Sequence, residues 1–136
     1  MEIALVKYLG NLRTEAIHLK SQNKVITDAP IDNHGKGEAF SPTDALATSL
    51  ATCMITIMGI LAKRNNIVFE KVSASVSKIM AENPRRVAEI IVQIRIEHEW
   101  KEKYRKMMEK AALNCPVAHS LRESLKQTVH FNYTVA

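Results

Sequence analysis

Two cysteines, Cys53 and Cys115, have the side chains in this sequence that are best suited to redox chemistry. A thiolate is a strong nucleophile, and two neighbouring thiols can be oxidised to a disulfide through a sulfenic acid. Free cysteine is also a common core residue, so burial alone explains Cys53, in its apolar segment, equally well. Catalysis, redox sensing and simple burial all remain open for this pair.

The surroundings of Cys115 differ, because it directly precedes Pro116 in the sequence Asn-Cys-Pro-Val. Proline is favoured at the first position of a helix, so we predict that a helix begins here. The backbone N–H groups and the dipole at a helix start favour a thiolate. On local electrostatics alone, we expect Cys115 to ionise more readily than a thiol in the middle of an apolar helix.

Metal and nucleotide sites find little support in the sequence. Cys115 and His119 have a possible i, i+4 ligand spacing, but there is no CxxC or HExxH pattern. Gly35 and Gly37 neither follow a clear strand nor lie within a βαβ unit, so they do not form a phosphate-binding loop. We therefore predict neither a metal nor a cofactor.

The segment around the first cysteine predicts a long helix. Ser41 is a suitable cap, Pro42 fits the first helical position, and Asp44 stands where a capping-box acid belongs. Residues 45–62 carry no charge, and the basic pair 63–64 suits the helix end. A membrane helix must be considered at this length, but hydroxyl side chains dilute the apolar character and no second span follows. We predict a buried core helix and no membrane partner.

Strand patterns lie on both sides of this helix. Residues 1–9, 13–19 and 24–27 are typical of an N-terminal antiparallel meander, which a polar loop over 28–40 connects to the helix. Alternating apolar residues predict two further strands around 72–77 and 90–97, with a reversal at Asn83-Pro84.

The C-terminal part combines a helix with a last strand. Tyr104, Met107 and Met108 begin an i, i+3, i+4 apolar pattern, and Val129, Phe131, Tyr133 and Val135 share one face of a final strand. The order of elements predicts an α+β fold with a mainly antiparallel sheet, in one domain over 1–136. The uncharged helix needs covering on more than one side, which favours a dimer.

The net charge of +5 raises the question of a nucleic-acid partner. The densest basic group, within residues 101–110, is interleaved with Glu102 and Glu109, so a solvated helix face explains it better. The N-terminal residues 1–9 lack the pattern of a signal peptide. We predict a cytoplasmic protein that does not bind nucleic acid, and in that compartment permanent disulfides are rare.

Two segments, SPTDALATSLATC at 41–53 and NCPVA at 114–118, together resemble the OsmC/Ohr family of osmotically inducible and organic hydroperoxide resistance proteins. The resemblance extends to the order of elements along the whole chain and is closest to the OsmC-like branch. It implies an intertwined homodimer with antiparallel sheets around two long central helices. Two active sites at the subunit interface are implied as well.

In peroxidases of this family, the first cysteine attacks the peroxide and the second resolves the sulfenic acid, which implies these roles for Cys53 and Cys115. An arginine of the N-terminal strands assists the thiolate, and Arg13 is the only arginine there. The family's glutamate, which holds that arginine, is replaced by Thr43. We expect Glu38 in the preceding loop to substitute for it.

The resemblance leads us to predict a thiol-dependent peroxidase that reduces organic hydroperoxides and is regenerated by a dithiol reductant of the lipoyl type. The apolar neighbours of Cys53 suit an alkyl peroxide. Two alternatives remain: a non-enzymatic dimer that senses redox state or binds a small ligand, and a structural protein with two buried thiols. Peroxide consumption with a dithiol distinguishes them.

Overall fold

The computed structural model describes residues 1–134, so Val135 lies outside the described residues. Contacts divide the chain into two compact units, Met1–Leu46 and the part from Ala47 onward. Each unit is described by itself below. The single domain expected from the sequence stays a prediction.

The first unit is a three-stranded antiparallel sheet in the order β1-β2-β3, formed by β1 Ala4–Gly10, β2 Arg13–His18 and β3 Lys24–Asp28. The predicted meander is therefore confirmed, although β3 extends one residue further than expected. Asn11 and Gln22 adopt left-handed backbone conformations in the two turns, which asparagine and polar turn residues tolerate. Much of the apolar surface of this sheet is exposed in the single chain, including Leu5, Val6, Leu9 and Val25.

A 3-10 turn at Ile31–Asn33 leads to α1, the long helix Pro42–Arg64. The predicted capping box is present: the Asp44 N–H donates to Ser41 Oγ across 3.0 Å, and the Ser41 N–H donates to Asp44 Oδ2 across 2.9 Å. These bonds satisfy backbone donors that a helix start would otherwise leave unpaired. The helix begins and ends where its sequence predicts.

The second unit contains a sheet in the order β4-β5-β6, formed by β4 Val72–Ala81, β5 Arg86–Ile96 and β6 Lys126–Tyr133. β4 and β5 are antiparallel, as predicted, whereas β5 and β6 are parallel. Parallel neighbours require a crossover connection. Two helices, α2 Glu102–Leu113 and α3 Pro116–Ser120, lie on that crossover.

One hydrophobic core unites α1, β5 and α2 within the second unit. Its fully buried members include Leu50 and Met54 of α1, Ile94 of β5 and Met108 of α2. Alternate residues of β5 are buried, as the period of two predicts. The α+β class is thus confirmed.

The opposite face of α1 is exposed in the single chain, where Leu46, Thr52, Thr56 and Ile60 form what we call the outer face of α1. Leu46 and Ile60 keep 39% and 44% of their surface accessible. By length and composition alone, α1 is able to cross a membrane, a test that the core helix of a soluble protein also passes.

An aromatic cluster fixes α2 against β6. The Tyr133 hydroxyl donates to Glu109 Oε2 across 2.7 Å, and the Arg105 guanidinium lies 4.2 Å from the Tyr133 ring centre. Trp100 packs edge-on against Tyr133 and donates its indole N–H to the Val68 carbonyl. Burial and the neighbouring Glu109 carboxylate raise the pKa of Tyr133 well above its ordinary value.

Candidate thiol site

Cys53 and Cys115 are free thiols of one hydrophobic core in the second unit, and they lie near enough for Cys53 to affect the pKa of the Cys115 thiol. Cys53 is half-buried in the middle of α1, whereas Cys115 is fully buried directly before α3. Two residues far apart in the sequence thus belong to one hydrophobic core, to which α1 and the α2–α3 crossover both contribute. The arrangement is suited to thiol–disulfide chemistry, which needs two sulfurs within reach of each other.

The position of Cys115 is fixed by local hydrogen bonds at the junction of two helices. The Asn114 side chain donates to the Lys110 carbonyl across 2.8 Å, and the Cys115 N–H donates to the Ala112 carbonyl across 3.3 Å. Pro116 then occupies the first position of α3, as predicted. The sulfur is therefore held by backbone geometry on both sides.

The electrostatic expectation for Cys115 is wrong. The Ala118 N–H does donate to Cys115 Sγ across 3.5 Å, but burial raises the pKa of the Cys115 thiol and outweighs this bond. The neighbouring Cys53 thiol raises the pKa further. A helix of only five residues has a small dipole, whereas complete loss of water penalises the thiolate strongly. Cys115 is thus a thiol that stays protonated at rest.

In the first unit, Arg13 is held by Asp28, a residue that was not predicted from the sequence. The Arg13 Nε and Nη2 donate to the two oxygens of Asp28 across 2.6 and 2.8 Å. Asp28 is 1% exposed, and its pKa is lowered chiefly by the Arg13 hydrogen bond. The same pairing raises the pKa of the Arg13 guanidinium.

The register of the first sheet explains this pairing, because Arg13 and Asp28 are directly opposed across β2 and β3. Opposed residues of antiparallel strands place their side chains on the same face. Aspartate is depleted in strands, so the predicted strand ended at Thr27 and left Asp28 in the loop. If the antiparallel pairing that begins at Ile17 and Lys24 is continued by four residues along each strand, it places Arg13 opposite Asp28.

Glu38, the expected partner of Arg13, contributes a weaker contact. Its carboxylate lies 3.6 Å from Arg13 Nη2, and its side chain is 62% exposed. The Glu38 N–H donates to Asp28 Oδ2 across 3.0 Å, so the Glu38 backbone helps to hold the Asp28 carboxylate in place. Thr43 Oγ1 lies 3.2 Å from Ser41 Oγ, among the groups at the start of α1.

Within residues 1–134, no three histidine, cysteine, aspartate or glutamate side chains are grouped so that they could hold a metal ion. His119 is exposed, one turn beyond the buried Cys115.

Comparison with known proteins identifies the family. Residues 35–130 match the family described as OsmC-like protein. A protein from Psychrobacter arcticus, described as an osmotic stress induced and detoxification response protein, is 51% identical. Its crystal structure superposes with a TM-score of 0.93 over 96% of both chains. No curated protein sequence matches this chain.

More distant structures share the fold. The organic hydroperoxide resistance protein OsmC from Legionella pneumophila is 16% identical, with a TM-score of 0.76 over 97% of this chain and 98% of its own. A protein from Vibrio cholerae, described as an organic hydroperoxide resistance protein and crystallised with captopril in one of its active sites, is 14% identical. Its TM-score is 0.74 over 95% of this chain and 90% of its own. Because the family match spans most of the sequence, this chain belongs to the OsmC-like protein family.

Proposed function

We propose that this protein is a thiol-dependent peroxidase that reduces organic hydroperoxides. The observation that carries the proposal is that two free thiols belong to one core of the second unit, near enough for Cys53 to affect the pKa of Cys115. The Cys53 thiolate attacks one peroxide oxygen, the O–O bond breaks, and an alcohol leaves with a proton while Cys53 becomes a sulfenic acid. The Cys115 thiol then displaces water from that sulfenic acid and forms a disulfide.

The different exposure of the two cysteines supports this division of roles. Cys53 retains access to solvent, whereas Cys115 is 0% exposed and its pKa is raised by burial. A protonated and enclosed thiol is poorly suited to attack a peroxide from outside. It is well placed to meet a sulfenic acid that forms beside it.

The substrate class follows from the apolar setting of Cys53. Ile57 lies one turn along α1, and the cluster around the thiols is formed by aliphatic and aromatic side chains. An alkyl or aryl hydroperoxide gains from such contacts, whereas hydrogen peroxide has no apolar part to bury. The Legionella and Vibrio proteins that share this fold are described as organic hydroperoxide resistance proteins, which supports the same substrate class.

Arg13 is the proposed activator of Cys53. A guanidinium remains charged at all relevant pH values, and its planar donors can stabilise both a thiolate and a developing oxyanion. Its bond to Asp28 and its contact with Glu38 limit the orientations that it can adopt. We propose Glu38 as a secondary support for Arg13.

We also propose a homodimer, located in the cytoplasm and reduced by a lipoyl-type dithiol. The exposed apolar surface of the first sheet and the outer face of α1 support the dimer, because such surfaces are usually covered in solution. A dithiol suits the last step: its two thiols give up two electrons and two protons to the Cys53–Cys115 disulfide and become a disulfide themselves.

The decisive experiment treats single cysteine variants with one equivalent of cumene hydroperoxide and traps sulfenic acid. Cys115→Ser should accumulate the sulfenate, because the resolving thiol is missing, and Cys53→Ser should not. The wild type should form an internal disulfide that dihydrolipoamide reduces. Sulfenate in Cys53→Ser alone would reverse the roles, and none in any variant would favour a redox-sensing or ligand-binding dimer.

A further inference from the structure

Asp28 has more hydrogen bonds than a solvent-exposed acid would need. Its two oxygens accept from Arg13 Nε, Arg13 Nη2 and the Glu38 N–H, and its own N–H donates to the Phe40 carbonyl. Only 1% of its surface is exposed. A carboxylate this deeply buried is retained where its partners compensate for the loss of water. The side chain of Asp28 is therefore fixed in one orientation.

The chain around Asp28 is fixed as well. The Ala29 N–H donates to the Leu12 carbonyl, and the Gly37 N–H donates to the Ala29 carbonyl. These bonds join the loop after β3 to the turn before β2. The carboxylate is thus supported by a strand on one side and a closed loop on the other.

We propose that Asp28 is the positioning residue of Arg13: its fork of two hydrogen bonds sets the direction in which the remaining guanidinium donors point. This inference rests on the proposed function, in which Arg13 activates Cys53. Within residues 1–134, Nη1 of Arg13 donates to no protein acceptor, so its two N–H groups are available to an anion. Asp28 performs here the role that the family resemblance assigns to a glutamate at the position of Thr43.

Asp28 acts by orienting the Arg13 guanidinium and not through its own charge. A carboxylate beside Arg13 lowers the local positive potential, so on charge alone its removal would strengthen the attraction for a thiolate. A bidentate pair, in contrast, fixes the plane of the guanidinium, which a single contact does not. The two effects predict opposite changes in the reactivity of Cys53 in Asp28→Asn: the loss of charge would raise it, whereas the loss of orientation would lower it.

The test measures the second-order rate constant for oxidation of Cys53 by cumene hydroperoxide in Asp28→Asn. If Asp28 orients Arg13, the rate constant falls about 10- to 100-fold, as expected for a displaced catalytic group. Asp28→Glu should recover part of the loss, because it restores a bidentate acceptor. Asp32→Asn, which removes the same charge from the adjacent loop, is the matched control and should stay within about twofold of wild type.

A double-mutant cycle with Arg13→Lys separates positioning from a general loss of structure. Lysine keeps the charge but cannot form the fork, so Arg13→Lys and Arg13→Lys/Asp28→Asn should show nearly the same rate constant. Melting curves identify variants that are folded at the assay temperature. If Asp28→Asn does not fold, Asp28→Glu and Arg13→Lys are compared instead, and wild-type rates in both overturn the inference.

The two proposals fail in different ways. If the wild type consumes no hydroperoxide and forms no sulfenate, the proposed function itself is wrong. If the wild type is active and Asp28→Asn retains or exceeds its rate, only the positioning role is overturned. A larger loss in Glu38→Gln than in Asp28→Asn would assign the positioning role to Glu38 instead.

Discussion

The Ala118 N–H donates to the sulfur of Cys115 across 3.5 Å, so the side chain of a fully buried cysteine caps the start of α3. Such a bond favours the thiolate, yet the enclosure of the sulfur disfavours it more, and the pKa of Cys115 is raised. Cys115, the proposed resolving cysteine, is therefore a mostly protonated thiol and a poor nucleophile in the resting protein.

This relationship predicts slow alkylation of Cys115. In Cys53→Ser, which leaves the burial of Cys115 in place, iodoacetamide at pH 8 should react at least about tenfold more slowly than with the same variant in denaturant. The physical reason is a smaller thiolate fraction, since each pKa unit changes it about tenfold below the pKa, together with restricted access. Mass spectrometry at timed intervals measures the rate. Equal rates in native and denatured protein would contradict the raised pKa.

The outer face of α1 supplies a test of the dimer. Ile60→Lys should convert the protein to a monomer at micromolar concentration without unfolding it, because Ile60 is 44% exposed in the single chain. Ile79→Lys is the matched control, since Ile79 is 48% exposed on β4 and the substitution is the same. Sedimentation velocity gives the assembly state. A wild type that sediments as a monomer would count against the dimer.

The inner face of α1 should respond differently. Met54 is 0% exposed in the core of the second unit, so Met54→Ala should lower the free energy of unfolding by about 2–5 kcal/mol. Substitution of Met54 by a charged residue would unfold the chain, and loss of the dimer would then say nothing about assembly. Denaturant titration measures the effect. A change below about 1 kcal/mol would show that the core refills the space.

Asp28 predicts how the first sheet behaves in acid. Its pKa in the folded chain is lowered from the ordinary value of 3.8, so its contribution to stability is complete above pH 3.8. That contribution is lost as the pH falls through the lowered value, because protonation breaks the fork to Arg13. Amide exchange in β2 and β3 should accelerate in this range. Asp28→Asn should exchange faster at neutral pH and show little further change in acid.

Tyr133 predicts a late transition in base. Its pKa is raised above the ordinary 10.0 by burial and by Glu109, so it should remain protonated when an exposed tyrosine has ionised. A raised pKa means that the stabilising contribution is present below pH 10 and is lost as the pH rises through the folded value. Tyrosine ionisation is followed by absorbance as the pH is raised. Tyr133→Phe should remove the part of the absorbance change that occurs at the highest pH. The variant should also lose on the order of 1 kcal/mol with the bond to Glu109.

Patterned segments of the sequence predicted their structures well. The capping box of Ser41 and Asp44 and the alternation along β5 are local signals, and both appear as expected. Asp28 was missed because its role depends on strand register, which links residues fifteen positions apart. The pKa of Cys115 was misjudged because burial by distant elements is invisible in the residues that surround it. The dimer, the reductant and the catalytic roles remain predictions.

The parallel pairing of β5 with β6 has a consequence for how the protein folds. β6 can dock only after the segment 97–125, which carries Cys115, has closed back on the sheet. Such non-local pairing requires the loop-closure entropy to be lost before the contacts form, and it slows folding. In a newly made chain, Cys115 is therefore exposed to oxidants until this crossover closes. The native protein buries the same thiol completely.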